Sequence, residues 1–410
     1  MIKPITSVKV KGRRVLLRAD LNVPVKQNIE SEDWEVVDDT RIRFVLPTIN
    51  YLIQNQARVI IVAHLDRPEG WDRSKSMFPV AQKLGELIGY KVIRVSNKLS
   101  DYPVPHVNFL DTDITATDCS DLSKNLKEGD ILFLENIRFY KQEKENDEKF
   151  IETIASFADI YVNDAFSVNH RKEASVFGVA SKLPSYAGIG LLKEIQSLQR
   201  IINNPQSPFI VMIGGAKISS KIDTINNLAS KADYILTGGA VGNSFLKAKG
   251  YEVGKSKVED ISLAQELLRN HKDKILLPVD VVVARNENEK ASSVKIDKVK
   301  PVDMILDIGP ETIRKYAEYI KSAKTLVWSG PFGLIEKKPF DFGSLSLSRI
   351  FAARSKGPAF GVMGGGETEE MIHLAKVPEF IDHISTGGGA MLEFLAGKTL
   401  PGIKVLERNA

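Results

Sequence analysis

Short runs of β-branched and aliphatic residues alternate along the chain with longer stretches in which apolar positions recur every three or four residues. A strand buried on both faces reads as a continuous apolar run, and a covering helix shows one apolar stripe, so this alternation predicts parallel sheets flanked by helices. The first half predicts strands at 14–21, 57–64, 91–95, 130–134 and 159–163, and the second at 209–213, 234–237, 275–283, 325–328 and 359–363. The expected fold class is therefore α/β, with two doubly wound, Rossmann-like domains. Between the halves, Leu191, Leu192, Ile195, Leu198, Ile201 and Ile202 recur at helical spacing until Asn203-Asn204-Pro205 breaks the pattern. This predicts a connecting hinge helix over 186–204, between domains at 1–185 and 205–397, with a cleft between them.

With 410 residues, 43% of them hydrophobic, the chain is long enough for two or three cores of ordinary size. Lysine and arginine number 56 against 52 acids, a balance that supplies no argument for a nucleic-acid or membrane partner. Cys119 is the single cysteine, which excludes an intrachain disulfide and a thiolate metal cluster and fits a reducing compartment. No apolar run approaches the ~20 residues that span a bilayer. Neither export nor insertion is expected, and the expected location is cytoplasmic.

In open parallel sheets ligands bind beyond the carboxyl ends of the strands. In the first half those positions hold Arg18-Ala19-Asp20-Leu21-Asn22, His64-Leu65-Asp66-Arg67, Glu135-Asn136-Ile137-Arg138 and Asn163-Asp164-Ala165-Phe166. Arg18, Arg41, Arg67, Arg138 and Arg171 lie at or just past strand ends or at a helix start, with His64 and His170 beside them, and all could face one cleft. A guanidinium grips phosphate or carboxylate through two parallel hydrogen bonds, each charged contact worth about 1.5–3 kcal/mol. Such a cluster suits a small, multiply anionic substrate, although any one arginine is equally a solvated charge or a salt-bridge partner. Asp20 and Asn22 add hydroxyl-binding groups or stabilise their own turn. The two histidines read as structural or phosphate-contacting groups rather than acid–base catalysts.

The second half is rich in glycine after its strands. Gly214-Gly215-Ala216-Lys217 leads into a stretch with Ser219, Ser220 and Lys221, and the reading is a phosphate-binding helix start with Lys217 and Lys221 one turn apart on one face. The same residues also fit a tight strand-to-helix turn with solvated lysines. Gly238-Gly239, Gly364-Gly365-Gly366 and Gly387-Gly388-Gly389 repeat the theme. The standard nucleotide motifs fail on spacing: a Walker loop ending in Gly397-Lys398-Thr399 would need glycine where Leu392 stands, and one ending in Gly254-Lys255-Ser256 would need it at Lys249. No complete Gly-x-Gly-x-x-Gly occurs in the glycine clusters.

The run Leu16-Leu17-Arg18-Ala19-Asp20-Leu21-Asn22-Val23-Pro24 resembles the signature of phosphoglycerate kinases. Thr40-Arg41-Ile42, His64-Leu65-Asp66-Arg67-Pro68, Leu134-Glu135-Asn136-Ile137-Arg138-Phe139, Asn163-Asp164-Ala165-Phe166 with His170-Arg171, Trp328-Ser329-Gly330-Pro331 and Ser385-Thr386-Gly387-Gly388-Gly389-Ala390 follow in family order, and Leu400-Pro401-Gly402 extends the match toward the terminus. The resemblance implies reversible phosphoryl transfer between 1,3-bisphosphoglycerate with ADP and 3-phosphoglycerate with ATP, with Mg²⁺ on the nucleotide. It implies substrate contacts from Asp20, Asn22, Arg41, His64, Arg67, Arg138 and Arg171. Nucleotide contacts are implied for Gly215, Lys217, Lys221, Gly238, Gly239, Glu336, Gly366, Glu367 and Thr368, with Glu367 as the metal carboxylate. Arg41, Lys217, Gly387 and Gly388 would serve the transferring phosphoryl group. A monomer is expected, with the tail at 398–410 packed back on the first domain.

Four departures from the family pattern stand out. Asp66 replaces a glycine and could pair with Arg67, Ser167-Val168-Asn169 replaces a Gly-Thr-Ala run, Ser329 replaces an asparagine, and Glu367 replaces an aspartate. The segment 28–39 is also longer and more acidic than expected. Two other readings remain open from the residues: an NAD-dependent dehydrogenase, disfavoured by the missing dinucleotide fingerprint, and a non-catalytic or repurposed nucleotide-binding protein on the same fold.

Overall fold

The run Arg14–Ala19 lies inside a seven-stranded sheet whose order, edge to edge, is Val92–Val95, Val107–Leu110, Ile131–Leu134, Arg58–Val62, Arg14–Ala19, Ile160–Asp164 and Ser185–Ala187. Every neighbouring pair is parallel. A second sheet has six parallel strands in the order Ile275–Leu276, Tyr234–Thr237, Phe209–Ile213, Thr325–Ser329, Phe360–Gly364 and His383–Ser385. In this computed structural model, which describes residues 2–28, 33–115 and 119–408, the chain divides into two units: Met1–Ile195 with Thr399–Ala410, and Gln196–Lys398. The fold is α/β, and each unit carries one of the two parallel sheets.

The central strands are buried along almost their whole length because helices cover both faces, which is why they read as unbroken apolar runs. The helix Thr40–Gln54 shows the complementary pattern, burying Ile42, Val45, Ile49 and Leu52 at alternating spacings of three and four. Register then aligns the strand ends. Arg18 pairs across from Val62 and from Asn163, so the residues that follow these strands emerge at one edge of the first sheet. In the second sheet Ile213 lies opposite Thr237 and Ser329, and the glycines after those strands emerge together.

One expected strand is wrong. The segment 275–283 is not continuous: Ile275–Leu276 ends the six-stranded sheet, and Asp280–Ala284 belongs to a separate antiparallel sheet with Ser292–Lys295 and Met304–Ile308. Pro278 lies between the two pieces and has no N–H for a ladder. The short strands Val107–Leu110, Ser185–Ala187 and His383–Ser385 were not expected from the pattern. The helix Ile189–Asn203 contains the boundary between the units. The helix Pro401–Arg408 packs within the first unit against Ala174–Gly178 and Val179–Lys182, and the Gly402 N–H donates to the Asn169 carbonyl at 2.9 Å. Residues 29–32 of the acidic 28–39 segment, and 409–410 of the tail, lie outside the described residues. Among the described residues no helix is long and apolar enough to cross a membrane.

Candidate active site

In the first unit Arg41, Arg138 and Arg171 lie close enough to His64 for their charges to act on it. Asp20 follows the strand Arg14–Ala19, and its carboxylate accepts from Arg41 Nη1 at 3.3 Å to Oδ1 and 3.4 Å to Oδ2. Arg41 itself projects from the first turn of the helix Thr40–Gln54. Asn22 Oδ1 accepts the Asp66 N–H at 2.7 Å, and Arg138 Nη1 donates to the Asp66 carbonyl at 2.8 Å, so the loop after the strand Arg58–Val62 is tied to both neighbours. Asn136 holds the same loop, accepting from Leu65 N–H and donating to the carbonyls of Leu65 and Lys75.

Arg138 and Arg171 share one anchor. Glu173 Oε1 accepts from Arg138 Nη2 at 3.3 Å and from Arg171 Nη1 at 3.2 Å. Arg138 is buried, and its Nε is enclosed without a hydrogen-bond partner among the described residues. Burial lowers the His64 pKa well below its usual value, and the charges of Arg18, Arg138, Arg171 and Arg41 push it the same way. Four guanidiniums therefore act on one imidazole, all disfavouring its charged form.

Two expectations need correction here. Arg18 does not face a cleft: it is fully buried, donating to Ser175 Oγ, the Ala19 carbonyl and His64 Nδ1, because its strand is sandwiched at the sheet centre. Asp66 does not pair with Arg67; its Oδ2 lies 2.5 Å from Lys75 Nζ, while Arg67 is exposed without an ion-pair partner among the described residues. The Asp66 backbone, at φ 57°, is left-handed and directs that side chain toward Lys75. Glycine is the residue that adopts this conformation freely.

In the second unit two adjoining cavities meet at Ala216 and Glu367. One, of about 250 Å³, is walled by Gly215, Gly239, Phe332 and Leu334, with the exposed Glu336 and Lys257 also lining it. The other, of about 300 Å³, is lined by Lys217, Lys221, Ser329, Gly366, Thr368 and Gly388. The backbone here is crowded: a Cβ on Gly214 would lie 2.2 Å from the Pro331 carbonyl oxygen, so only glycine lets these loops cross. A Cβ on Gly215 would lie 3.0 Å from Glu367 Oε2 and 3.5 Å from Lys221 Nζ, so the carboxylate and the ammonium both approach this glycine. Burial lowers the Lys221 pKa, opposed by the charges of Glu367 and Glu259. Thr368 Oγ1 accepts the Gly330 N–H at 2.8 Å and so ties the helix Gly366–Ala375 to the loop after Thr325–Ser329. Gly238 caps the helix Gly239–Ala248, while Gly387 donates its N–H to Ser385 Oγ at 3.2 Å beside the start of the helix Gly389–Leu395.

Lys217 and Lys221 do not share a helix face. The helix begins at Ile222, and 216–221 form turns, because Glu259 takes the Ser219 N–H and hydroxyl and Ile218 turns back to Lys221. Both lysines nevertheless line the same cavity. Glu143, Glu173 and Ser175 in one unit, and Glu259 and Lys257 in the other, were missed from sequence. The adjacency of Glu173 to His170-Arg171 was the only available signal.

A doubly wound unit that gathers arginines, and another whose glycine loops wall paired cavities, define a class of protein that handles small phosphorylated or carboxylated molecules. The family model described as phosphoglycerate kinase matches residues 5–398. A phosphoglycerate kinase from Pelotomaculum thermopropionicum is 42% identical over 412 residues, 98% of each chain. The solved phosphoglycerate kinase from Coxiella burnetii superposes with a TM-score of 0.83 at 35% identity over 100% of both chains, and that from Pyrococcus horikoshii with 0.84 at 31% over 100% of this chain and 99% of its own. The chain belongs to the phosphoglycerate kinase family, and it is an enzyme, a glycolytic kinase whose phosphoryl acceptor is a carboxyl group.

Proposed function

We propose that the first unit binds 3-phosphoglycerate or 1,3-bisphosphoglycerate through Asp20, Asn22, Arg41, His64, Arg67, Arg138 and Arg171, and that the second binds ADP or ATP in its two cavities. The observation that carries the reading is the grouping of Arg41, Arg138 and Arg171 close enough to His64 for their charges to act on it, with Arg138 and Arg171 sharing Glu173. Arg138 and Arg171 supply two guanidiniums on the same Glu173 anchor, and Arg67 an exposed one. Asp20 and Asn22 are the hydroxyl-directed groups. The cavity walled by Gly215, Gly239 and Phe332 suits a flat base, Glu336 at its rim suits ribose hydroxyls, and the lysine-lined cavity suits phosphates. Gly238 begins the helix beside the base site, while Gly366 and Thr368 set the helix that carries Glu367.

Phosphoryl transfer through a loose transition state needs positioning and charge compensation rather than a side-chain nucleophile. Arg41 on the acceptor side, Lys217 on the donor side and the backbone around Gly387 and Gly388 are the proposed compensating groups. Mg²⁺ commonly takes one or two protein carboxylates plus substrate phosphates, and Glu367 beside the Lys221 cavity fits that donor set. When bound, the ion would neutralise phosphate charge. Since the two sets of residues belong to different units, transfer requires their ligands to be brought together, and we place the hinge in residues 191–202. A cytoplasmic monomer is the proposed setting.

The test is ATP formation from 1,3-bisphosphoglycerate, ADP and Mg²⁺ by purified protein, beside Arg41→Ala and Lys217→Ala. Activity abolished in both variants supports the assignment. A folded wild type that binds ATP without turnover overturns it in favour of a repurposed nucleotide-binding protein.

A further inference from the structure

The proposed chemistry makes no use of a buried hydrogen-bonded chain running from Glu143 through Ser175 and Arg18 to His64. Each member is at most 3% exposed, so water cannot substitute for any link. The direction of every bond can be assigned. A guanidinium has donors and no acceptor, so across the 3.0 Å contact Arg18 Nη2 donates and His64 Nδ1 supplies a lone pair. Arg18 cannot rotate away from this duty. Its Nε donates to Ser175 Oγ at 2.8 Å and its Nη1 to the Ala19 carbonyl at 2.6 Å, which fixes the plane on two further edges. With Glu143 ionised, Ser175 sends its own proton to Glu143 Oε1 at 2.6 Å and its backbone N–H to Oε2 at 2.9 Å, which leaves the hydroxyl lone pairs toward Arg18. The π-helical turn Ala174–Gly178 is what brings Ser175 into this position.

An imidazole with a lone pair on Nδ1 carries its hydrogen on Nε2. The alternative cation would set an N–H against the Arg18 N–H and a positive charge against a guanidinium. Arg138, Arg171 and Arg41 add to that field. His64 Nε2 has no hydrogen-bond partner among the described residues.

We infer that Arg18 is a positioning residue that locks His64 as a neutral imidazole with its hydrogen on Nε2, a fixed single donor for an oxygen of the bound substrate. The substrate end of this inference rests on the function proposed above; the tautomer does not. His64 then neither takes nor releases a proton during turnover. Arg18 acts on the substrate only through His64, and Glu143 and Ser175 act only through Arg18.

The test is ¹⁵N NMR of the histidine side chains in the full chain without ligands, with His64 assigned by the signal lost in His64→Gln. The expected result is a protonated Nε2 and an unprotonated Nδ1 that do not change between pH 5.5 and 8.5. A hydrogen on Nδ1, or titration near the ordinary histidine value, overturns the inference. Because no substrate is present, this outcome is separate from failure of the proposed function, which the kinetic assay reads alone. Arg18→Lys removes a fully buried fork and risks misfolding, so Ser175→Ala is the second variant. It deletes one hydrogen bond to the guanidinium and is expected to mix the two His64 tautomers and to raise the KM for 3-phosphoglycerate about three- to tenfold with kcat little changed. A folded Ser175→Ala protein with an unaltered His64 tautomer and an unaltered KM would make the chain merely structural and overturn its positioning role.

Discussion

Asp66 and Lys75 form an ion pair across the loop after the strand Arg58–Val62, with Asp66 Oδ2 at 2.5 Å from Lys75 Nζ. The side chain of Asp66 does nothing else in that loop, whereas its backbone does two things: the N–H donates to Asn22 and the carbonyl accepts from Arg138. Asp66→Gly should therefore keep both ties, relieve a left-handed backbone at φ 57°, and remove a negative charge from the edge of an anion site. An exposed pair of this kind stabilises little, so the melting temperature is expected to move by no more than about 2 °C. The KM for 3-phosphoglycerate should fall about two- to fivefold, the range of a solvent-screened charge, with kcat unchanged. Steady-state kinetics that gave a higher KM would assign the carboxylate a contribution to binding instead.

Glu173 makes the opposite case, because its charge is buried and shared. With one oxygen accepting from both Arg138 and Arg171, truncation leaves Arg138 enclosed without its ion-pair partner. Glu173→Ala is expected to cost about 3 kcal/mol of stability, the usual penalty for breaking a buried pair. Glu173→Gln keeps the shape and should cost less. Both should raise the KM for 3-phosphoglycerate more than they lower kcat, since the arginines lose their aim rather than their charge. Urea unfolding and initial-rate kinetics on the two variants check this, and an unchanged KM in both would remove Glu173 from the site.

What could be read in advance followed from backbone geometry. Parallel strands end at one edge, so Asp20, His64 and Arg138 could be assigned to a common site from their places after apolar runs alone. What could not be read was which charges are buried. Glu143 sits in Lys141–Glu145, a segment made only of lysine, glutamine and glutamate that looks like a solvated helix, yet it is enclosed once the π-helical turn packs against it. Arg18 likewise reads as one more cleft arginine, and only its place in the middle of a seven-stranded sheet makes it an internal strut. Lys217 and Lys221 stand four positions apart, a helical spacing, but Glu259, 38 positions beyond Lys221, captures Ser219 and the helix begins only at Ile222. Pro278 was a visible break that the surrounding apolar run concealed.

Glu367 stands where the family usually has aspartate, in the first turn of the helix Gly366–Ala375, and shares a cavity with Lys221. Its carboxylate is the protein oxygen donor proposed for nucleotide-bound Mg²⁺. Glu367→Gln preserves length and removes the charge, and is expected to raise the Mg²⁺ concentration for half-maximal rate about tenfold or more. Loss of the charge also removes the larger of the two influences that oppose the burial shift of Lys221 and leaves Glu259, so the Lys221 pKa should fall further. Mg²⁺ titrations of the rate, with 3-phosphoglycerate saturating, separate this from substrate binding. An unchanged Mg²⁺ dependence would exclude Glu367 as the metal carboxylate.

Asp164 supplies a pH prediction. It is buried beneath the start of the helix Ile189–Asn203, where its carboxylate accepts from Thr48 Oγ1 at 2.5 Å and from the Leu191 N–H at 2.6 Å. Gly188 and Gly190 are required beside it, since a Cβ on Gly188 would fall 2.4 Å from its Cγ. Burial pushes the carboxyl up to about 7, against the opposing hydrogen bonds from Thr48 and Leu191. The unfolded chain releases this proton near its ordinary value of 3.8, so between there and about 7 the native state holds a proton that the unfolded state has lost. Its contribution is thus fully present below the unfolded value and is lost as pH rises through about 7. Glu143, also raised to about 7 by burial, runs in the same direction but is common to wild type and variant and cancels between them. Asp164→Asn keeps an oxygen for Leu191 and can donate to Thr48 Oγ1, yet it does not titrate. The stability advantage of wild type over Asp164→Asn should therefore shrink by a few kcal/mol at most between pH 4 and 8. Urea midpoints of both proteins across that range test it, and an advantage that grew with pH would mean that the hydrogen bonds, not burial, govern Asp164.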